Sequence, residues 1–532
     1  MIPSVLPVTR PEWLQSGCEC NCLISPIEKA ALRWVMACTT LPGSASGVGM
    51  LLFNRRAFLK ASVFSSAAIS LDPQLFADDG QLAPSTKPQK IMIVGAGIAG
   101  LVAAFELMRS GHEVTVLEAR MRPGGRIYTL RDSFADDLYA EAGAVDLGEG
   151  YPLLLRYVRE LNLPLDEVPV APKRVFFVQG RRYVVLAGQE PDWPYQLRTE
   201  ERKLGQAGLW RKYVAPAITR IGDPSGSGWP SSSALQYDQT TFRDFLLKEG
   251  VSQEAVELFR FTLNGDDYDH LSALQSLLWE DFLTRNTTPM VLRGGNDQLP
   301  KAFARRLGER IHYGAAVTKI EQDAKKVRVT ALQSGVQQQL EADRAIVAIP
   351  FSVLRKVELD SSFSPDKRRV ISNLHYEDTT GVFLQSRRRF WSDQGIDGNS
   401  ATDLPISLVV DHTATQPGSR GILQSQTESQ AARRVWAMDP EARLRWTVPY
   451  MEQLHPGFAA NFEGGTSFCW GEEPWSLGAW AYFAPGEMST FYPHVARSEG
   501  RVYFAGEHTA TSMTLEGAAA SGLRAAKAAS TA

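Results

Sequence analysis

The sequence predicts an α/β fold in which a parallel sheet is covered by helices, and three observations predict it. A short apolar run, Ile91-Met92-Ile93-Val94, ends at Gly95-Ala96-Gly97-Ile98-Ala99-Gly100. Apolar residues at helical spacing follow from Leu101 to Ser110, and Gly111 stops them. A second strand, Val114 to Leu117, carries an acid, Glu118, at its end. An unbroken apolar run of this length suits a strand buried on both faces. Strand, glycine loop, helix, strand and acid in this register describe a Rossmann-like unit that binds a dinucleotide.

Each residue type in the loop has a task. Gly95 allows the tight turn, Gly97 lets a pyrophosphate approach the backbone, and Gly100 lets the helix pack closely on the strand. The helix start at Ile98 and Ala99 offers unpaired N–H groups and the positive end of a dipole. Glu118, 23 residues after Gly95, can accept a hydrogen bond from a ribose hydroxyl. Ala119 and Arg120 follow, then Arg122-Pro123-Gly124-Gly125-Arg126. A glycine pair between arginines suits a second close passage of backbone along the pyrophosphate and flavin, which selects FAD over NAD.

Later segments complete the pattern. Arg293-Gly294-Gly295-Asn296-Asp297-Gln298-Leu299-Pro300 precedes a predicted helix, residues 311–330 alternate like strands, and Ala345 to Ile349 reads as another buried strand. Near the C-terminus, Arg501 to Thr509 reads as a strand ending in Gly506 and Glu507, and a helix with small residues at its start runs from Leu515 to Lys527. Small residues there would let a helix start come close to a ligand.

Composition bounds the rest. A chain of 532 residues exceeds a single simple core and implies two or three domains. The net charge of −3 comes without a basic stripe, so nucleic acid is not an expected partner. No apolar run reaches the roughly 18 residues needed to span a bilayer. Cys18, Cys20, Cys22 and Cys38 lie in the first fifty residues, in a spacing that is not a zinc pattern, and Cys469 is the single cysteine of the body. Histidines do not cluster, and no metal site is expected.

The N-terminal segment reads as an address. Asn54-Arg55-Arg56-Ala57-Phe58-Leu59-Lys60 resembles a twin-arginine export signal, followed by a moderately apolar stretch from Ala61 to Leu71 and small and acidic residues at 77–79. Residues 50–78 are read as that signal, and residues 1–49 as an over-called start or an unstructured leader. The implied location is periplasmic or secreted.

The motifs around Gly95, Glu118 and Gly124 resemble those of the flavin amine oxidase family, which includes monoamine, polyamine and L-amino-acid oxidases. The likeness covers about residues 88–530. It is strongest to L-amino-acid oxidases, through Leu374-His375-Tyr376, Phe390-Trp391, Gly395-Ile396-Asp397-Gly398 and Thr402-Asp403-Leu404-Pro405. It implies a discontinuous (GR2-type) FAD-binding domain from residues 88–175, 290–350 and 490–530. A mixed α+β substrate domain would come from 176–289 and 351–489, with a helical insertion near 190–285. It implies FAD contacts by Gly95, Gly97, Ile98, Ala99, Gly100, Glu118, Ala119, Arg120, Gly124, Gly125, Arg126, Val317, Gly506, Glu507, Glu516, Gly517 and Ala518.

The resemblance also implies the chemistry: an amine or L-amino acid is oxidised at its C–N bond to an imine, with oxygen reduced to hydrogen peroxide. Trp480 is the candidate aromatic wall, or else a core tryptophan. Thr514 stands where a second ring is expected. Ala479 replaces the cysteine that bonds flavin in monoamine oxidases, so FAD is expected to be non-covalent. Asp146 occupies the place of the arginine that grips a carboxylate. It either attracts a cationic or hydroxylated substrate or is a solvated acid while another arginine serves. Gly381 replaces a lysine that assists reoxidation, which motivates an alternative, a dehydrogenase or desaturase with a non-oxygen acceptor. The implied partners are the substrate, oxygen or another acceptor, the export machinery and, at most, a second copy of the chain as a homodimer.

Overall fold

The computed structural model describes residues 81–531 apart from 225, 227, 263–265 and 287. The expectations for residues 1–49 and 50–78, and for Cys18, Cys20, Cys22 and Cys38, lie outside the described residues.

A five-stranded parallel sheet forms in the order Val502–Phe504, Arg344–Val347, Lys90–Val94, Glu113–Glu118, Ile311–Tyr313. Ile93 pairs with Ile346 on one side and Val116 on the other, so the apolar run from Ile91 is central and fully buried. Parallel strands need crossovers, and strands from three distant parts of the chain supply this sheet.

The helix Ile98–Arg109 packs on the sheet, with the C-terminal helix Leu515–Thr531 against it. A Cβ on Gly522 would stand 2.1 Å from the carbonyl oxygen of Ala99. The two helices therefore meet backbone to backbone, which is why the last helix buries Ala518, Ala519, Ala525, Ala526 and Ala529 rather than larger residues. On the other flank Phe105, Tyr157 and Phe303 meet edge to face, at 5.1–6.2 Å between ring centroids. Such pairs add about 0.5–1.5 kcal/mol each beyond their burial.

A second sheet has seven strands, in the order Phe462–Cys469, Thr379–Ser386, Gly421–Glu428, Leu408–Asp411, Ile396–Thr402, Lys173–Val178, Arg181–Leu186. Alternation decides its two faces. Val382, Leu384 and Leu423 point into a core with Val435, Met451 and Leu454 from two covering helices, Ser429–Trp436 and Pro440–Leu454. Thr379, Gly381, Gln424, Gln426 and Glu428 point the other way, into a cavity. The boundary expected at residue 175 falls inside the strand Lys173–Val178, because that strand's hydrogen bonds tie it to this second sheet. The segment from Thr199 to Arg285 is mostly helical and covers the cavity's far side with the helix Ala273–Arg285.

Candidate active site

One cavity of about 680 Å³ runs from the glycine loop to the second sheet. Its first wall is backbone. Gly95 has φ +102°, and a Cβ there would stand 2.8 Å from Ile349 Cγ2. A Cβ on Gly100 would fall 2.0 Å from the carbonyl oxygen of Gly95, so the helix rests directly on the turn. Gly97 differs: it lines the cavity, and a Cβ on it would meet nothing within 4 Å. Ile98 and Ala99 also line it, at a helix start with no side-chain cap, so the first N–H groups are free for an anion. Gly124, at φ +106°, donates its N–H to Ala96 O at 2.8 Å, and Gly125 packs 3.2 Å from Gly97 Cα as measured from its would-be Cβ. The two glycine loops thus form one continuous surface without side chains, the shape a pyrophosphate needs.

Glu118 accepts the N–H of Ala96 at 2.7 Å and that of Arg120 at 2.9 Å. Burial pushes its carboxyl pKa upward, opposed by these bonds and by the Arg120 guanidinium. Arg120 is held by Ser476 Oγ at 2.9 Å and Glu473 at 3.3 Å. Ala119 and Val317 line the cavity at this end.

Arg126 joins the separated pieces. One of its nitrogens donates to Glu507 at 2.8 Å and to the carbonyl of Ala479 at 2.8 Å, while the N–H of Ala481 reaches Glu507 at 3.3 Å. Trp480 lies between those two anchored residues, in a strand paired with His375–Glu377, and lines the cavity. Gly506 and Ala518 line it as well.

Three expected contacts are corrected. Glu516 turns away from the cavity, and its carboxylate accepts the N–H groups of Leu153 and Leu154 at 2.8 and 3.0 Å, capping the helix Pro152–Glu160. Burial pushes its pKa up to about 7. Gly517 is spent on packing, since a Cβ there would lie 2.1 Å from Ser512 O. Gly100 likewise supports the loop without lining the cavity. Thr514 does line it, and its hydroxyl accepts the N–H of Gly517 at 3.1 Å, capping the last helix.

The second sheet and its flanks, with the short strand Ala140–Glu141 that pairs with Thr129–Leu130, bring residues that motif reading missed. Glu141, Arg174, Asp397, Asp411, His412, Gln424 and Glu428 line the cavity along with Asp146. Burial pushes Glu141 up to about 8 and Asp397 up to about 6. His412 Nδ1 accepts the N–H of Glu141 at 3.2 Å, which leaves Nε2 to donate to Gln424 Oε1 at 2.6 Å. Burial pushes this histidine down to about 4. Gln424 and Phe383 occupy the space beside Gly381: a Cβ there would be 2.8 Å from each. The available signal was alternation, Gln424-x-Gln426-x-Glu428 in an otherwise buried strand.

With this geometry in hand, the relatives decide the family. The model for flavin-containing amine oxidoreductases matches residues 98–530. This chain belongs to that family. It is 32% identical over 457 residues to YobN of Bacillus subtilis (strain 168), covering 83% of this chain and 95% of that one. It is 29% identical over 440 residues to the L-amino-acid oxidase of Pseudechis australis, covering 80% and 84%. Wild-type putrescine oxidase bound to putrescine superposes with a TM-score of 0.71 at 22% identity, over 83% of this chain and 98% of that one, a likeness of fold. The chain is an oxidoreductase of CH–NH2 donors, and its cofactor is FAD. The residues fit that group: two glycine loops with open space at Gly97, a free helix start and an acid at the ribose end. Ala479 offers no atom for a covalent link at its position.

Proposed function

We propose that the chain oxidises the C–N bond of an amine or L-amino acid to an imine, with oxygen as the electron acceptor. The observation that carries this reading is the continuity of one cavity from the glycine loops, past Trp480, to the polar face of the second sheet. FAD, when bound, supplies the acceptor for the hydride equivalent and passes two electrons to oxygen, giving hydrogen peroxide. The imine is hydrolysed by water to ammonia and a carbonyl product.

The protein's own residues do the rest. Gly97 and the helix start at Ile98 hold the phosphates, and Glu118 orients the ribose. The Arg126–Glu507 pair fixes the strand that carries Trp480. An amine has a pKa near about 10 in water and must be neutral to release hydride, so a chamber that strips its water favours the reactive form. Trp480, Trp279 and Leu271 supply apolar wall for this. We further propose twin-arginine export, supported by Arg55-Arg56 and the apolar stretch behind it.

Anaerobic addition of amines and L-amino acids to the flavin-loaded protein tests the reading. At least one should bleach the visible flavin band, and air should restore it with one peroxide per turnover. If none bleaches it, the proposed activity is wrong. If bleaching occurs but air restores the band only over hours, oxygen is not the acceptor.

A further inference from the structure

We propose that Arg174 receives a carboxylate of the substrate, which makes the substrate a carboxylate-bearing amine rather than a plain monoamine or diamine. This rests on the reading of the cavity as the site of amine oxidation.

Among the described residues three arginines line the cavity: Arg120, Arg126 and Arg174. Two are committed. Arg120 donates to Ser476 and sits by Glu473, and Arg126 donates to Glu507 and to the Ala479 carbonyl. Arg174 is not: among the described residues its guanidinium has no hydrogen-bond partner, and its Nε is sealed from solvent. Its close neighbour is the ring of Phe176, 5.4 Å from the guanidinium carbon.

The local fold explains how it is held there. Arg174 lies in the strand Lys173–Val178, which pairs with Ile396–Thr402 through an irregularity between Ile396 and Ser400. Asp397 falls in that irregularity and faces the cavity beside Arg174. It attracts the guanidinium without reaching it as an ion pair, and its own carboxylate accepts the N–H of Asn399 at 3.0 Å. Asn399 also binds the N–H of Asp411, whose carboxylate is used by Trp391 and Thr413. The acids near Arg174 are therefore placed by other bonds and leave its fork open.

A guanidinium whose Nε is sealed from solvent, in a cavity wall and with no protein acceptor, is a costly arrangement unless a ligand or water completes it. A planar fork in an apolar wall matches a carboxylate through two parallel N–H···O bonds. A second ammonium group would instead meet a fixed cation. Arg174 lies on the strand Lys173–Val178 of the seven-stranded sheet, whereas Asp146 lies in the loop after the strand Ala140–Glu141.

The test uses the flavin-loaded full chain and two probes. Benzoate, which cannot be oxidised, reports carboxylate binding through a shift of the visible flavin band. L-phenylalanine and phenethylamine, which differ by the carboxylate, report turnover. Losing two charge-assisted hydrogen bonds in Arg174→Gln should weaken benzoate binding about 100-fold, and lower the kcat/KM ratio of L-phenylalanine to phenethylamine by a similar factor. The L-phenylalanine loss should appear mainly in KM, and Arg174→Lys should recover part of it. Melting temperature and bound flavin serve as the folding control. Benzoate affinity and substrate ratio unchanged in Arg174→Gln, or a wild type that binds no carboxylate, would overturn the assignment. If benzoate binding depends on Arg174 yet no amine bleaches the flavin, the oxidase reading fails and the carboxylate site stands.

Discussion

Gly97→Ala separates the two jobs of the first glycine loop. Gly97 has φ −68° and ψ 171°, which alanine adopts freely, and its new methyl would meet no protein atom within 4 Å. The bare protein should therefore keep its stability to within about 0.5 kcal/mol. The methyl does enter cavity space where the pyrophosphate must touch backbone. Overpacking there should cost about 1–3 kcal/mol of FAD binding, about 5- to 150-fold in Kd. Gly100→Ala is the contrast: its Cβ would fall 2.0 Å from Gly95 O. Carbon and oxygen need roughly 3.4 Å, so helix and turn must part by more than about 1 Å, with no flexible side chain to yield. That variant should lose both stability and FAD. Chemical denaturation of the apo forms and FAD titration by fluorescence quenching measure the two quantities. A Gly97→Ala protein that binds FAD as wild type does, or is as unstable as Gly100→Ala, would refute the geometry.

Four more outcomes are expected. Trp480→Ala should retain FAD, since Arg126 and Glu507 still anchor the strand through backbone atoms, but lower kcat/KM about 10-fold or more in steady-state assays. Glu516→Ala should lower stability by about 1 kcal/mol through the uncapped helix Pro152–Glu160, with FAD affinity within about twofold of wild type by titration. Gly381→Lys must displace Gln424 or Phe383 and should destabilise by about 1–3 kcal/mol on denaturation, an effect that pairing with Gln424→Ala relieves. Glu141 has a folded pKa of about 8 against 4.5 when unfolded, so its contribution is fully present below pH 4.5 and is lost as pH rises through 8. Glu141→Gln should accordingly flatten the fall in melting temperature across that window.

The elements that could be read from the chain are those whose cause is local. The strand from Ile91, the turn at Gly95, the helix beyond Gly97 and the acid at Glu118 form one contiguous unit, and each residue's role follows from its neighbours. Trp480, Asp146 and Thr514 do line the cavity, although what holds Trp480, the Arg126–Glu507 pair, joins residues hundreds of positions apart. Arg174 and Asp397 could not be read as site residues because their strands become neighbours only when the seven-stranded sheet assembles, and for Gln424 the alternation of its strand shows a shared face but not that the face lines a cavity. Glu516 was misread for the opposite reason: a local motif suggested a ligand, while its partners are Leu153 and Leu154, far away in sequence.

Heat-releasing the pigment from purified protein and quantifying it bears most directly on the claim that distant segments fold into a cradle for this cofactor. The account predicts one FAD freed per chain, in soluble form and not attached to peptide. Colourless protein that takes up no added FAD, or pigment that stays with the precipitate, would contradict it.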